Sequence, residues 1–255
     1  MDRGLGGDQV EGRQAVRALL VAGRRRTREV WFASDLEPAA ILGEIEDLCQ
    51  RLRVPLRRVA RGRLESAARS EAPQGVLARA EPLREVDLDG LCGRRPGRPA
   101  PFLVGLDGVT DPQNLGAVLR TAECAGATGV VLPRHRAVHV TPTVTKAAAG
   151  AVEHLPIAVV PGLPTALARA KDLGVWTVGL DAGADRSVFD LEVATEPLLL
   201  VLGAEGAGLS RLTRERCDVL ARIPLAGDLA SLNVAAAAAV ACFEVARGRL
   251  GLPGA

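Results

Sequence analysis

The sequence is poor in aromatic residues, with no tyrosine, four phenylalanines and two tryptophans. That excludes a nucleic-acid surface built as a row of stacking aromatic side chains, so any nucleic-acid contact has to be led by arginine. The five cysteines, Cys49, Cys92, Cys124, Cys217 and Cys242, are scattered, with no C-x-x-C pair and none beside a histidine. This argues against a zinc site or a disulfide framework, and no metal is expected. No apolar run approaches the ~20 residues of a transmembrane helix. The opening MDRGLGGDQVEGRQ has no hydrophobic core of a secretory signal. The expectation is a cytoplasmic protein with no membrane partner.

A strong charge imbalance is missing too, since the formal net charge is only +2. The charge is nonetheless uneven: residues 1–83 hold 15 Lys+Arg against 12 Asp+Glu, and the remainder is slightly acidic. Between residues 51 and 69, Arg51, Arg53, Arg57, Arg58, Arg61, Arg63 and Arg69 face only Glu65 within the stretch. Such a run suits phosphate contacts, and it equally suits a solvated helix face. With 48% apolar and 24% charged residues, the 255-residue chain has a globular balance and the length for two modest domains.

Periodicity gives residues 10–22 as a helix, 28–33 as a strand, 39–52 as a helix, 54–59 as a strand, 64–68 as a short helix and 75–80 as a strand. This is a small α/β unit, taken as a domain over residues 1–82. Residues 83–101 are rich in Gly, Pro and Arg, with Arg94, Arg95 and Arg98 together, and read as a linker. From residue 102 onward strands and helices alternate, which predicts a mostly parallel, doubly wound sheet in a second domain over residues 102–255. Its first helix places Leu115, Val118, Leu119, Ala122 and Ala125 on one face and leaves Arg120 off it. Arg120 is expected near the helix's positive end, a mildly unfavourable place that calls for an anionic partner.

The stretch that organises the second domain runs from residue 198 to 240. Residues 198–202, LLLVL, read as a strand buried on both faces, ending at Gly203. A loop with Gly203, Gly206 and Gly208 follows, in which bare backbone can meet a ligand and Glu205 is the sole charge. Residues 219–223 form another strand, 224–230 a loop, and Ser231 is expected to cap an alanine-rich helix. Two strand ends thus deliver two loops, a pocket geometry typical of α/β sheets. The glycine spacing G-x-x-G-x-G is neither a dinucleotide fingerprint nor a P-loop, which disfavours nicotinamide and ATP.

The three segments DPQNLGAVLRTAECAGATGVV, LVLGAEGAGLS and RIPLAGDLASLNVAAAAA, in this order, closely resemble the motifs of the SpoU (TrmH-type) RNA ribose 2′-O-methyltransferases. The opening EGRQAVRALL and the segment PQGVLA are similar to the L30e-like substrate-binding domain that precedes many of them. The resemblance implies a C-terminal trefoil knot, S-adenosylmethionine as cofactor, RNA as partner and a homodimer. Carried over by motif, Asn114, Arg120, Glu205, Ser231 and Asn233 would be catalytic, with Gly203, Ile223 and Leu232 contacting the donor. Arg120 would sit beside the 2′-OH and its phosphate, oriented by Glu205 and Asn114, while Ser231 and Asn233 shape loops and bind phosphate. Whether Arg120 removes a proton or stabilises charge stays open.

GAVEHLP and IPLAGDLASLNV are most like the bacterial members that modify a guanosine of 23S rRNA. A tRNA guanosine, a thiostrepton-resistance rRNA adenosine and a catalytically silent RNA-binding assembly factor are the alternatives. One departure stands out: Ala148 occupies a position where the family usually carries serine, ahead of the retained Gly150 and Ala151.

Overall fold

The computed structural model describes residues 4–94, 96–135 and 137–252. Arg95, in the expected linker, and Arg136 lie outside the described residues. In chain order the elements are β1 (Gln9–Glu11), α1 (Arg13–Ala22), β2 (Thr27–Ala33), α2 (Ala40–Leu52), β3 (Leu56–Val59), α3 (Arg61–Ala67), β4 (Val76–Ala80), α4 (Leu88–Cys92), β5 (Phe102–Asp107), α5 (Pro112–Cys124) and β6 (Gly129–Pro133). Then come α6 (Pro142–Ala147), β7 (Ile157–Val160), α7 (Leu163–Asp172), β8 (Trp176–Leu180), β9 (Arg186–Ser187), β10 (Leu198–Gly203), α8 (Arg211–Arg216), β11 (Val219–Arg222) and α9 (Val234–Arg249). No helix among the described residues is long and apolar enough to cross a membrane.

The chain forms two units: Met1–Arg84 with His139–His154, and Glu85–Val138 with the residues from Leu155 onward. In the first, a four-stranded sheet runs β1-β4-β2-β3, with β2 and β3 parallel and the other pairs antiparallel. Its core is built by Val16 and Leu19 of α1, Ile45 of α2 and the inward residues of β2 and β4.

The segment 139–154 packs inside this unit rather than with its sequence neighbours. The reason is visible at Gly150, where φ is +87° and an added Cβ would lie 2.4 Å from the Ala18 Cβ and 3.0 Å from the Ala15 Cα. The Gly-Ala that the motif retains therefore serves close packing on α1. Glu153 is fully buried and ion-paired with the equally buried Arg25.

The arginine-dense stretch is less bare than its local sequence reads. Arg57 pairs with Glu29, Arg58 with Glu46, Arg61 with both Asp35 and Glu65, and Arg69 with Asp8. Arg63 lies over the Trp31 ring, 5.3 Å from its centroid. Folding brings in carboxylates from β2, α2 and the loops, which no reading of residues 51–69 alone contains.

In the second unit a seven-stranded sheet has the order β7-β6-β5-β10-β8-β11-β9, with every pairing parallel. Leu198–Leu202 of β10 are wholly buried, as expected of a strand covered on both faces. The stretch expected as a linker contains α4, whose Leu88, Leu91 and Cys92 join the core of this unit. At five residues it is too short for helical periodicity to announce it. Asp218 sets β11 against β8: its Oδ2 accepts from the Thr177 N–H (2.9 Å) and hydroxyl (2.7 Å), and its Oδ1 pairs with Lys171 at 2.8 Å. Burial opposes that carboxylate's charge, but these partners outweigh burial and hold its pKa below the usual range.

Candidate active site

Parallel pairing sends β5, β8, β10 and β11 to the same end, so the segments that follow them gather there. The last register pair of β5 and β10 is Asp107 opposite Gly203. Beyond Gly203 the chain doubles back, with Ala204 and Gly208 exchanging backbone hydrogen bonds of 3.0 and 2.8 Å. Gly206 and Gly208, at φ +73° and +66°, make the reversal. Gly203 is required for space: a Cβ there would lie 2.1 Å from the Gly208 carbonyl carbon. Asp107 then accepts the Ser210 N–H at 2.8 Å, and Ser210 caps α8.

The second loop leaves β11 at Ile223 and ends at Asn233. Asn233, not the expected Ser231, caps α9, its Oδ1 accepting from Ala235 N (2.8 Å) and Ala236 N (3.4 Å). The same side chain donates through Nδ2 to Asn114 Oδ1 at 3.0 Å and to Glu205 Oε1. One residue therefore ties the start of α9, the first turn of α5 and the glycine loop together. At α5 the cap is Asp111, which accepts the Asn114 N–H at 2.7 Å.

Between the two loops lies a cleft of about 490 Å³, lined by Gly203, the 204–209 loop, Ile223, Ser231, Leu232 and the 180–182 turn. Its size is that of small-molecule sites, and its walls are mostly apolar or bare backbone. The charged lining residues are Asp181, Glu205 and Arg214. Another hollow, of about 510 Å³, belongs to the first unit and is lined by Arg13, Gln14, Leu36, Ile41, Arg61 and Gln74. It holds none of the residues expected to be catalytic or to contact the donor, and Arg61 there is already paired with two carboxylates. Cys217, which follows α8, offers no thiolate beside these elements, because burial pushes its thiol up to about 12.

The structure thus joins Asn114, Glu205 and Asn233 by hydrogen bonds and sets Gly203, Ile223, Ser231 and Leu232 around one cleft. Arg120 stands apart. It is exposed on α5, does not line the cleft, and has no hydrogen bond or ion pair among the described residues. The orienting partners expected for it are engaged elsewhere, since Glu205 and Asn114 both bind Asn233. Six residues separate Asn114 from Arg120, placing them about 120° apart around the helix. Nor is Arg120 near the positive end: it is the ninth of thirteen helical residues, beyond the reach of the N-terminal dipole. Sequence reading missed Asp181 and Arg214, whose only local signal is their place after β8 and within α8.

Residues 101–243 match the SpoU rRNA Methylase family, and residues 9–86 match the RNA 2′-O ribose methyltransferase substrate-binding family. The chain is 38% identical over 242 residues to the 23S rRNA (guanosine-2′-O-)-methyltransferase RlmB of Photobacterium profundum, covering 95% of this chain and 98% of that protein. It is 39% identical over 245 residues to RlmB of Pseudomonas aeruginosa, covering 95% and 97%. Among solved structures, the SpoU methyltransferase AviRb of Streptomyces viridochromogenes, in complex with AdoMet, superposes with a TM-score of 0.78 at 29% identity. That match covers 96% of this chain and 91% of AviRb. Matched in both of its parts, and nearly end to end by full-length relatives, the chain belongs to the SpoU rRNA methylase family.

Proposed function

We propose that this protein transfers the methyl group of S-adenosylmethionine to the ribose 2′-OH of a guanosine in 23S rRNA. The observation that carries the reading is the tie at Asn233, which joins Asn114 and Glu205 beside a donor-sized cleft floored by Gly203. When bound, the donor supplies a methyl group on a positively charged sulfur. The cleft suits it: the bare backbone at Gly203 offers close polar contacts, Ile223 and Leu232 add apolar wall, and Glu205 and Asp181 complement a cation.

The 2′-OH is a weak nucleophile, so charge on its oxygen has to be met. Arg120 is the residue assigned to it, contacting the reacting hydroxyl and the adjacent phosphate. Guanidinium is a donor-only group with a pKa above about 12, so stabilising a developing alkoxide asks less of it than removing a proton. Asn114 and Glu205 act through Asn233, fixing the two loops, and Ser231 presents its hydroxyl to phosphate. An exposed Arg120 with no partner among the described residues is consistent with an anionic one.

The accompanying division of labour is an RNA-binding domain over residues 1–82, a connector over 83–101 and a catalytic domain from 102 onward. A trefoil knot belongs to the same reading: the chain leaves β10, returns as β11 beyond β8, and then packs α9 against α5 and β10. The protein would act in the cytoplasm as a homodimer, with α9 contributing its exposed Phe243 to the interface. Sedimentation at twice the 26.6 kDa chain mass is the expected result.

The test is methyl transfer from labelled S-adenosylmethionine to unmodified 23S rRNA and tRNA transcripts, with the labelled nucleotide mapped. Label on a 23S ribose, reduced by at least about a hundredfold in Arg120→Ala, is expected if one charged contact to the reacting oxygen is lost. Label confined to tRNA would replace the substrate. Donor binding without transfer to any RNA would favour a silent binder.

A further inference from the structure

The cleft contains an ion pair that the motifs do not include. Asp181 directly follows β8 and is fixed on three sides. Its N–H donates to the Ala221 carbonyl of β11 at 2.9 Å, its Oδ1 accepts the Gly183 N–H at 2.8 Å, and its Oδ2 lies 3.1 Å from Arg214 Nε. The Asp181 side chain is largely buried and the Arg214 side chain half exposed. Pairing occupies the Nε edge of the guanidinium. The two Nη groups have no acceptor among the described residues, although Arg214 lines the same cleft as Gly203, Ile223 and Leu232.

The charges of the cleft then sort by elimination. Two of its three charged lining residues are acids, and Glu205 is committed to Asn233 on the side where Asn114 enters. S-Adenosylmethionine carries two cationic groups, sulfonium and ammonium, and one anionic group, its α-carboxylate. Among the described residues Arg214 is the sole cation lining the cleft, and a planar guanidinium held at one edge presents a fork matched to a carboxylate.

Resting on the reading that this cleft takes S-adenosylmethionine, we propose that Arg214 binds the α-carboxylate of the donor's amino-acid portion and that Asp181 is a positioning residue aligning its guanidinium. Specificity for the intact donor over shorter adenosyl thioethers would come from this pair. The adenosine portion would be held by backbone.

Titration calorimetry on the full chain, with S-adenosylhomocysteine and with 5′-methylthioadenosine, separates these contributions, because the second ligand keeps the adenosine and thioether but lacks the amino acid. The unaltered protein is expected to bind S-adenosylhomocysteine more tightly. Arg214→Ala should weaken that ligand by about tenfold to a hundredfold, the usual effect of losing a charge-assisted contact, and leave 5′-methylthioadenosine unchanged. Arg214→Lys should recover part of the loss, and Asp181→Asn should give a smaller loss with the same selectivity. Retained binding of 5′-methylthioadenosine also reports that each variant is folded. Equal weakening of both ligands, or no effect on either with weaker RNA binding instead, would overturn the proposal. If the unaltered protein bound neither ligand, the donor reading would fall and this assignment with it.

Discussion

Gly203 lies at the point where the chain reverses at the end of β10, and the obstacle to a side chain there is backbone rather than another side chain. A Cβ would sit 2.1 Å from Gly208 C, 2.4 Å from Gly208 O and 2.4 Å from Leu209 N. None of these atoms can rotate away, so Gly203→Ala has to push the 206–209 segment out and disturb the Asp107 contact to Ser210. S-Adenosylhomocysteine affinity is expected to fall at least about tenfold. Gly206 is the control. It has φ +73° but nothing within 4 Å of an added Cβ, so alanine there should cost only the ~1 kcal/mol of a left-handed backbone and bind ligand nearly as before. Calorimetry on both variants decides the matter, and equal losses would mean that backbone strain, not close approach, governs the loop. The sequence marks all three glycines by their spacing. It cannot say which one is needed for space, because the atoms that exclude a Cβ at Gly203 come from a reversal five residues on.

At the scale of elements, the central strands were the legible part, whereas β1 was not, since Val10 and Glu11 read as the start of a helix. Residues 198–202 and 102–106 are unbroken apolar runs, and both became central strands with their side chains buried. Helix ends were less legible, because two polar residues competed for one job: Ser231 and Asn233 are both good caps, and the geometry at Ala235 and Ala236 selects the second. The basic α8, RLTRER, has no apolar stripe and exposes Leu212, so periodicity gave no sign of it. The cap at Asn233 allows its two duties to be separated. Asn233→Ser keeps a capping oxygen of about equal quality but is too short to reach Asn114 and Glu205. Stability against urea should stay within about 1 kcal/mol of the parent, while methyl transfer falls by tenfold or more. Unchanged transfer would show that the tie between α5 and the glycine loop is dispensable and that only the helix start matters.

At the scale of the molecule, what the sequence hides is partnership across long separations. The seven arginines of residues 51–69 look opposed by Glu65 alone until Asp8, Glu29, Asp35 and Glu46 fold onto four of them. Glu153 looks like part of a motif until Arg25, 128 residues earlier, is seen to pair with it. That pair has side-chain exposures of 1% and 0%, and Arg25 also donates to the carbonyls of Gly7 (3.0 Å) and Glu81 (3.2 Å). Arg24 adds a contact to the Glu153 carbonyl at 3.2 Å. The first unit is thus completed by a segment from the other half of the chain, and removing the carboxylate leaves a guanidinium buried without its counter-charge. Glu153→Ala should destabilise this unit by about 3–5 kcal/mol, whereas the double change Arg25→Met with Glu153→Leu should recover most of the loss, because it removes the charge as well as the pair. The two tryptophans make the measurement local: Trp31 is in the first unit and Trp176 in the second, so Trp176→Phe leaves a single reporter of the first. Urea unfolding followed by Trp31 fluorescence should shift strongly in Glu153→Ala. A shift below about 1 kcal/mol, the size of a surface pair, would mean that Arg25 finds water when its partner is gone, and that the segment 139–154 is held by its apolar contacts with α1 alone.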